Sequence, residues 1–461
     1  MNIRCLHLDM KSLFPEADYL LSLLKRFADM GYTHILLEFE DKFPFEAYPY
    51  STHPAAYSKQ QFQAVAEQCR KLGLGVIPLL QCAGHLDYFL RHEKYRKWSE
   101  NGNVYQWCLS DPETWEVWQN MLHEILAIFP DCEYFHIGAD ELQLNSPCAC
   151  CAEKNPFRVY LDRVRQCTDL LLAKGKKVLV WDDMFRNHNT PETRELLSKV
   201  IPCVWQYRQV DESIVQRYSA EGVSYWAASR IQTNARYLGM GKQRPMQQNV
   251  DDWAEIQQKY PAAGHIGTLW GRIQSLYPIN TTLPQAMYMA GYLAETLKHG
   301  KIRDRKQFNQ AFAETFFGLP GLDLDTIVYG FSNEPELVKC NLEPWLGKAL
   351  RNNDILEIWY AFNEIDLLYD YIDLCFSSND AMLMQYRNGN VTSAILNNWK
   401  DGVKLVQERT EALSTKLDQM LGKYYPLNQL EEFKNSRFLS MLENNARWGE
   451  ILQDACRKTH L

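Results

Sequence analysis

The chain has 461 residues, a formal net charge of −8 and 46% hydrophobic residues. That apolar fraction is ample for a core, and no charged stretch is dense enough to keep the chain disordered. A mildly acidic chain without a long basic run is not a nucleic-acid binder, whose affinity comes from clustered Lys and Arg.

In chain order, short apolar strands alternate with helical stretches through the first 300 residues. Strands are expected at 3–8 (IRCLHL), 34–39 (HILLEF), 75–80 (GVIPLL), 133–138 (EYFHIG), 177–181 (KVLVW), 203–207 (CVWQY), 223–227 (VSYWA) and 265–270 (HIGTLW). Between them lie amphipathic stretches such as EADYLLSLLKRFADMG, SKQQFQAVAEQCRKLG and FRVYLDRVRQCTDLLLAKG. In the second of these Ser58 fits an N-cap and Gly73 a stop. Strand–helix alternation predicts a parallel sheet, and eight repeats fit a (β/α)8 TIM barrel. A doubly wound open sheet would want a glycine-rich phosphate turn after the first strand, and HLDMKSLFP offers none.

Beyond residue 300 the alternation stops. Ile355, Ile358, Phe362, Ile365, Tyr369 and Ile372 fall at helical spacing, as do Val403, Val406, Thr410, Leu413, Leu417 and Met420. Gly422 and Pro426 close the second helix, and a third is expected from about Leu430 to Cys456. The expected division is a barrel over 1–315 and an α-helical C-terminal domain over 316–461. The apolar stripes read either as intrachain packing or as the seam of a homodimer.

The opening MNIRCLHLDMKSLFP is not a secretory signal. No apolar run reaches the roughly 18–20 residues that span a bilayer. The 13 cysteines therefore read as reduced thiols, and the expected location is cytoplasmic. Cys148, Cys150 and Cys151 cluster in sequence, but no second pair lies nearby, so no metal is assigned.

In such a barrel the C-terminal strand ends form the active face. Here they carry Asp9 and Lys11, then Glu38, Glu40 and Asp41, then His85, then Asp140 and Glu141, then Trp181, Asp182 and Asp183, then Trp205 and Tyr207, then YWAASR, and last Trp270 and Arg272. Carboxylates, one histidine and tryptophans at four strand ends (Trp181, Trp205, Trp226, Trp270) suit a neutral, polyhydroxylated ring better than a phosphate or a metal ion. No cofactor is expected.

HIGADE at 136–141 resembles the His-x-Gly-x-Asp-Glu signature of family 20 glycoside hydrolases, the β-N-acetylhexosaminidases. EDKFPF, AGH, VWDD, VW and LWG occur in that family's order. HLDMK, EFEDKFPF, VWDDM and WAAS are similar to its hexosaminidase D group in particular. The resemblance covers most of residues 1–300. It implies a retaining exo-enzyme acting on terminal β-linked GlcNAc or GalNAc, in which the substrate's own acetamido oxygen attacks the anomeric carbon. It implies Glu141 as general acid/base and Asp140 as partner of the acetamide. It further implies His85 bonded to the acid with Glu40 behind it, and Trp181, Trp205 and Trp270 around the acetamide. Arg4 matches the family's R-x-x-x-x-D start by its spacing to Asp9, although the two have opposite parity in a strand. Better-known members carry an acetamide-binding tyrosine after strand seven, where WAASRIQTNARY has no clear match, so Tyr207 is the substitute. They also carry Trp-x-Glu at strand eight, where Arg272 stands instead.

One geometric condition comes with this reading. Adjacent residues of a strand face opposite ways, so Asp140 and Glu141 share a pocket only if the strand ends there; Gly138 eases such a turn. Two other classes remain open: a metal-dependent barrel hydrolase using His7, Asp9, His85 and His136, and a non-catalytic sugar-binding protein.

Overall fold

The computed structural model describes residues 3–145, 147–233, 239–272, 274, 277–279, 281–302, 304–390 and 392–459. Eight parallel strands close into a barrel: β1 Ile3–Asp9, β2 His34–Glu38, β3 Gly75–Leu79, β4 Tyr134–His136, β5 Lys177–Trp181, β6 Val200–Trp205, β7 Trp226–Thr233 and β8 Gly264–Trp270. Each strand pairs with its neighbours in sequence, and β8 closes on β1 through Ile3↔Gly264 to Leu6↔Gly267. Cys5, Leu36, Ile77, Leu79, Tyr134, Leu179, Trp181, Cys203, Trp226, Ala228 and Ile266, from all eight strands, fill the interior. The TIM-barrel expectation therefore holds.

Some boundaries differ from the expected ones, each for a local reason. The sixth strand begins three residues early, with Pro202 in register opposite Val180. It stops at Trp205 because the Asn249 and Trp253 side chains take the Gln206 carbonyl. The seventh begins three residues late. Gly222, at φ +70°, ends the preceding helix, and the Val223 N–H turns back to the Tyr218 carbonyl. Trp226 thus opens β7 instead of ending it, and lies over Gly264 at the start of β8. It belongs to the core near the mouth opposite the strand C-termini.

The helices on the barrel's outside follow the sequence closely. Ala17–Met30 ends at Gly31 with φ +96°. Lys59–Lys71 opens on a full capping box, in which the Ser58 hydroxyl accepts from Gln61 N–H and the Gln61 side chain accepts from Ser58 N–H. One feature is absent from the sequence reading. Between β3 and β4 an antiparallel ribbon pairs Ser99–Glu100 with Asn103–Trp107. Its turn is Asn101–Gly102, both at positive φ, the chemistry that two-residue hairpins prefer.

The chain folds into two compact units. The barrel unit comprises 1–233, 244–277 and 286–305; the second comprises 234–243, 278–285 and 306–461. The second unit is built on three long helices, Asn353–Arg387, Ser393–Leu421 and Leu427–Thr459. Ile355, Ile358, Phe362, Ile365 and Ile372 on the first, and Val406, Thr410, Leu413 and Leu417 on the second, are buried within the chain itself. Asp366 lies nearly fully buried in this unit and accepts the backbone N–H groups of Gly239 and Met240. Among the described residues no helix is long and apolar enough to cross a membrane.

Candidate active site

The site is assembled where β4 stops. His136 is the last residue of that strand, and the chain then passes through Gly138 at φ +65°, Ala139 at +71° and Glu141 at +52°. Three left-handed residues in four break the alternation of a strand, so the parity condition no longer applies. Asp140 and Glu141 both reach one atom: His85 Nε2 lies 3.1 Å from Asp140 Oδ2 and 3.5 Å from Glu141 Oε2. Their environments differ. The Asp140 side chain is 9% exposed and that of Glu141 54%.

The turn is fixed on several sides. The Gly138 N–H donates to His136 Nδ1 at 2.9 Å, the Ala139 N–H to Gln81 Oε1 at 3.2 Å, and Tyr160 OH to the Ala139 carbonyl at 3.0 Å. Gln81 Nε2 donates to Asp140 Oδ1 at 3.3 Å, and the Glu141 N–H donates to Asp183 Oδ2 at 2.9 Å. A β-carbon on Gly138 would lie 1.8 Å from Gln81 Oε1. Gly138→Ala is therefore expected to cost about 1–3 kcal/mol through strain and the displaced Gln81. Urea denaturation checks this, and a change below about 0.5 kcal/mol would refute it.

His85 is itself at φ +53° and receives a third neighbour, Tyr105 OH, 2.7 Å from the same nitrogen. Burial works against protonating His85, but Asp140, Glu141 and Glu38 outweigh it and hold the imidazole well above its usual range. In return, the His85 charge outweighs burial at Asp140 and holds that carboxyl below its usual value. Asp140 is thus ionised at neutral pH beside an imidazolium. At Asp183, burial and then the Asp140 charge raise the pKa to about 7, against the pull of the Glu141 N–H and the Trp205 indole. Burial raises Asp182 to about 6 against its ion pair with Arg186.

Under this turn lies a second charged group. Lys11 Nζ is 3.0 Å from Asp9, 3.4 Å from Glu38 and 3.2 Å from Glu40, and all four side chains are almost fully buried. Glu38 also pairs with His7 Nε2 at 2.9 Å, and Asp9 accepts the Gly271 N–H at 2.7 Å. Lys11 lies 5.1 Å from the centre of the Trp270 ring. Glu40 is held by Lys11, and among the described residues it makes no bond to His85.

The aromatic residues gather on the far side of the barrel end. Trp205 stacks on Tyr207 at 5.3 Å, and the Trp270 indole donates to Tyr207 OH at 3.0 Å. Trp181 lies 6.1 Å from Trp270 and 4.4 Å from His136, and is 1% exposed. His136 is buried and its pKa falls to about 3, so it stays neutral, packed against Trp181. Arg272 follows β8, is buried, and its Nε donates to the Tyr277 carbonyl.

Arg4 is not brought to this group. It is the second residue of β1, at the end away from Asp9, and its Nε donates to the Gly31 carbonyl in the turn before β2. Its parity mismatch with Asp9 anticipates this. The four residues of the metal-hydrolase reading do not converge either. Among the described residues His7, Asp9, His85 and His136 form no common ligand cluster, and Asp9 and the His7–Glu38 pair are engaged around the Lys11 ammonium. Sequence reasoning missed Tyr105 and Gln81. Tyr105 stands on the ribbon and not on a strand end, and only the Asn-Gly turn before it signals that ribbon. Residues 234–237, part of the stretch without a tyrosine match, lie outside the described residues.

Comparison with known proteins points to one family. The profile of glycosyl hydrolase family 20, catalytic domain, matches residues 31–274, just over half of the chain. Hexosaminidase D of Bos taurus is 25% identical over 354 residues, covering 70% of this chain and 98% of that protein. Hexosaminidase D of Homo sapiens is 29% identical over 256 residues, covering 49% of this chain and 50% of that protein. Among solved structures, the chitobiase of Flavobacterium johnsoniae superposes with a TM-score of 0.51 at 14% identity, over 98% of this chain and 72% of the other, a likeness of fold.

Proposed function

This chain belongs to glycosyl hydrolase family 20 and is a glycoside hydrolase, and on that premise we propose that it is a retaining exo-β-N-acetylhexosaminidase. Its substrates are glycosides ending in β-linked GlcNAc or GalNAc, cleaved through an oxazolinium intermediate. The observation that carries this reading is the convergence of one buried and one exposed carboxylate on a single imidazole nitrogen at the barrel end.

The two environments support two roles. Glu141, exposed at the rim, protonates the leaving oxygen and then deprotonates the water that opens the intermediate. Asp140, buried and ionised beside His85, accepts the acetamide N–H and stabilises the positive charge that develops as the carbonyl oxygen closes on the anomeric carbon. His85 positions both acids, with Tyr105 against the same nitrogen. Trp205, Trp270 and Tyr207 offer an aromatic wall to the sugar and its methyl group. Tyr207 OH, which accepts from the Trp270 indole, is assigned to the acetamide oxygen in place of the tyrosine that other members carry after strand seven. Arg272, in place of an acid, is assigned to the outer hydroxyls of the ring. Cytoplasmic residence belongs to the same proposal, in line with unpaired cysteines throughout.

The test is turnover by the purified chain of nitrophenyl β-GlcNAc and β-GalNAc, beside the β-glucoside that lacks the acetamide. Hydrolysis of at least one acetamido sugar and none of the glucoside is expected. Inactivity on both acetamido substrates, or equal rates on all three, would sink the proposal.

A further inference from the structure

Away from the catalytic turn, the barrel unit gathers three cysteines and a carboxylate from segments 40 residues apart. Cys148 and Cys151 flank a tight turn in which the Cys151 N–H donates to the Cys148 carbonyl. Cys108 follows the second ribbon strand, and Glu100 ends the first. Cys148 Sγ lies 3.4 Å from Cys108 Sγ, Cys108 Sγ lies 3.7 Å from Cys151 Sγ, and Cys151 Sγ lies 3.7 Å from Glu100 Oε2. One ligand atom from each of the four lies within 4.8 Å of every other. Glu100, Cys108 and Cys151 are buried. Among the described residues Glu100 has no cationic partner; its carboxylate meets the Cys148 N–H and the Cys151 thiol.

We propose that Cys108, Cys148, Cys151 and Glu100 bind a structural zinc ion. The Cys108–Cys148 and Cys108–Cys151 separations fit a tetrahedral site, in which zinc–sulfur bonds of about 2.3 Å set the sulfurs roughly 3.8 Å apart. A disulfide would hold two of them at about 2.05 Å and leave the third thiol and the buried carboxylate without a purpose. Thiolates favour zinc over the hard cations magnesium and calcium, and Cys148-x-x-Cys151 is a common zinc-binding pair spacing. Four protein ligands leave no open position, so the site is closed and not catalytic.

The ion has something to hold. Its ligands bracket Tyr105 on the ribbon, and Cys148 follows Glu141 by seven residues. The same two segments already clasp each other through Gln106 and Gln143, whose side chain and backbone exchange two hydrogen bonds of 2.9 Å. Zinc therefore pins the segment leaving the Asp140–Glu141 turn to the ribbon that brings Tyr105 to His85.

Zinc binding at this site does not depend on the proposed activity, so metal content is the readout. The full chain, purified under reducing conditions from zinc-supplemented cells, is analysed by mass spectrometry for bound zinc. About one zinc per chain is expected, falling below about 0.1 in Cys148→Ser and Cys151→Ser and unchanged in Cys150→Ser, whose side chain is exposed outside the cluster. Cobalt substituted into the wild-type chain should give intense thiolate-to-cobalt absorption, a readout that needs no folded variant. A wild-type chain without zinc and without that absorption would overturn the site. So would an intact-mass loss assigning a Cys108–Cys148 or Cys108–Cys151 disulfide, or zinc retained in both serine variants.

Discussion

Glu141→Gln is expected to lower kcat on β-N-acetylhexosaminides with alcohol leaving groups by about 10³-fold, within the range that a positioned general acid supplies. The loss should shrink sharply for a dinitrophenyl leaving group, which departs without a proton. For that substrate the second step, opening of the intermediate by water, becomes limiting, because the amide of the variant cannot serve as base. Azide, which needs no base, should then restore turnover and yield the β-glycosyl azide. Stability should change by less than about 0.5 kcal/mol, because the side chain is exposed and its nearest charged neighbour is His85 at 3.5 Å. Asp140→Asn should differ in pattern. A loss of about 10²–10³-fold is expected with every leaving group, since charge stabilisation at the acetamide is needed whatever departs. Equal losses for all leaving groups in Glu141→Gln would remove the acid role from that residue.

Lys11→Met is expected to destabilise the barrel by about 3–5 kcal/mol at pH 8, the cost of leaving buried charges without their partner. Asp9, Glu38 and Glu40 all lie within 3.4 Å of the ammonium. Burial opposes the charge on Lys11, but the three acids outweigh it and hold the amine well above its ordinary range. Burial likewise opposes ionisation of Glu38, yet Lys11 and His7 outweigh it and hold that carboxyl below the usual carboxylate range. At Asp9 and Glu40 burial wins, and both are raised despite Lys11. The sign follows. The raised Lys11 pKa contributes stability that is fully present below the unfolded lysine value and lost only at higher pH. The lowered Glu38 pKa contributes stability above its unfolded value, lost on acidification. Without the amine all three carboxyls move upward, so the folded variant holds protons that the unfolded chain has released, and its stability falls as pH rises. Urea unfolding at pH 5 and pH 8 should show the smaller deficit at pH 5. A deficit below about 1 kcal/mol at both would mean that the cluster carries little stability.

Much of this architecture is legible in the sequence, for identifiable reasons. Short apolar runs and amphipathic helical stretches are local signals, and they locate all eight strands and the three long helices. Boundaries fail where distant side chains decide them, as when Asn249 and Trp253 end β6 at Gln206. Strand ends point to His85, Asp140, Glu141, Trp205, Tyr207 and Trp270, because a parallel barrel delivers its C-terminal residues to one face. Tyr105 escapes that rule because it enters from an inserted ribbon. Glu40 illustrates the opposite error: it lies at a strand end, but Lys11, two residues past the end of β1, claims it. Cys108 and Glu100 are 40 and 48 residues before Cys148 in the chain, a separation no local spacing rule covers, so the cysteine cluster looks incomplete in sequence.

The left-handed turn after β4 has a further consequence for which sugars can react at all. Enzymes that use two protein carboxylates place them on opposite faces of the ring, about 5–5.5 Å apart when one attacks and about 6.5–9.5 Å apart when water does. Asp140 and Glu141 are instead neighbours on one turn, with carboxylate oxygens within 4.8 Å of each other. On the proposed roles Asp140 is bound to the acetamide and does not attack, so the nucleophile is what the sugar brings. On the proposed chemistry, a hexose lacking the 2-acetamido group has no nucleophile to offer. Selectivity for N-acetylated sugars would thus reside in the connectivity of the reaction, and enlarging or reshaping the aromatic wall would not relax it.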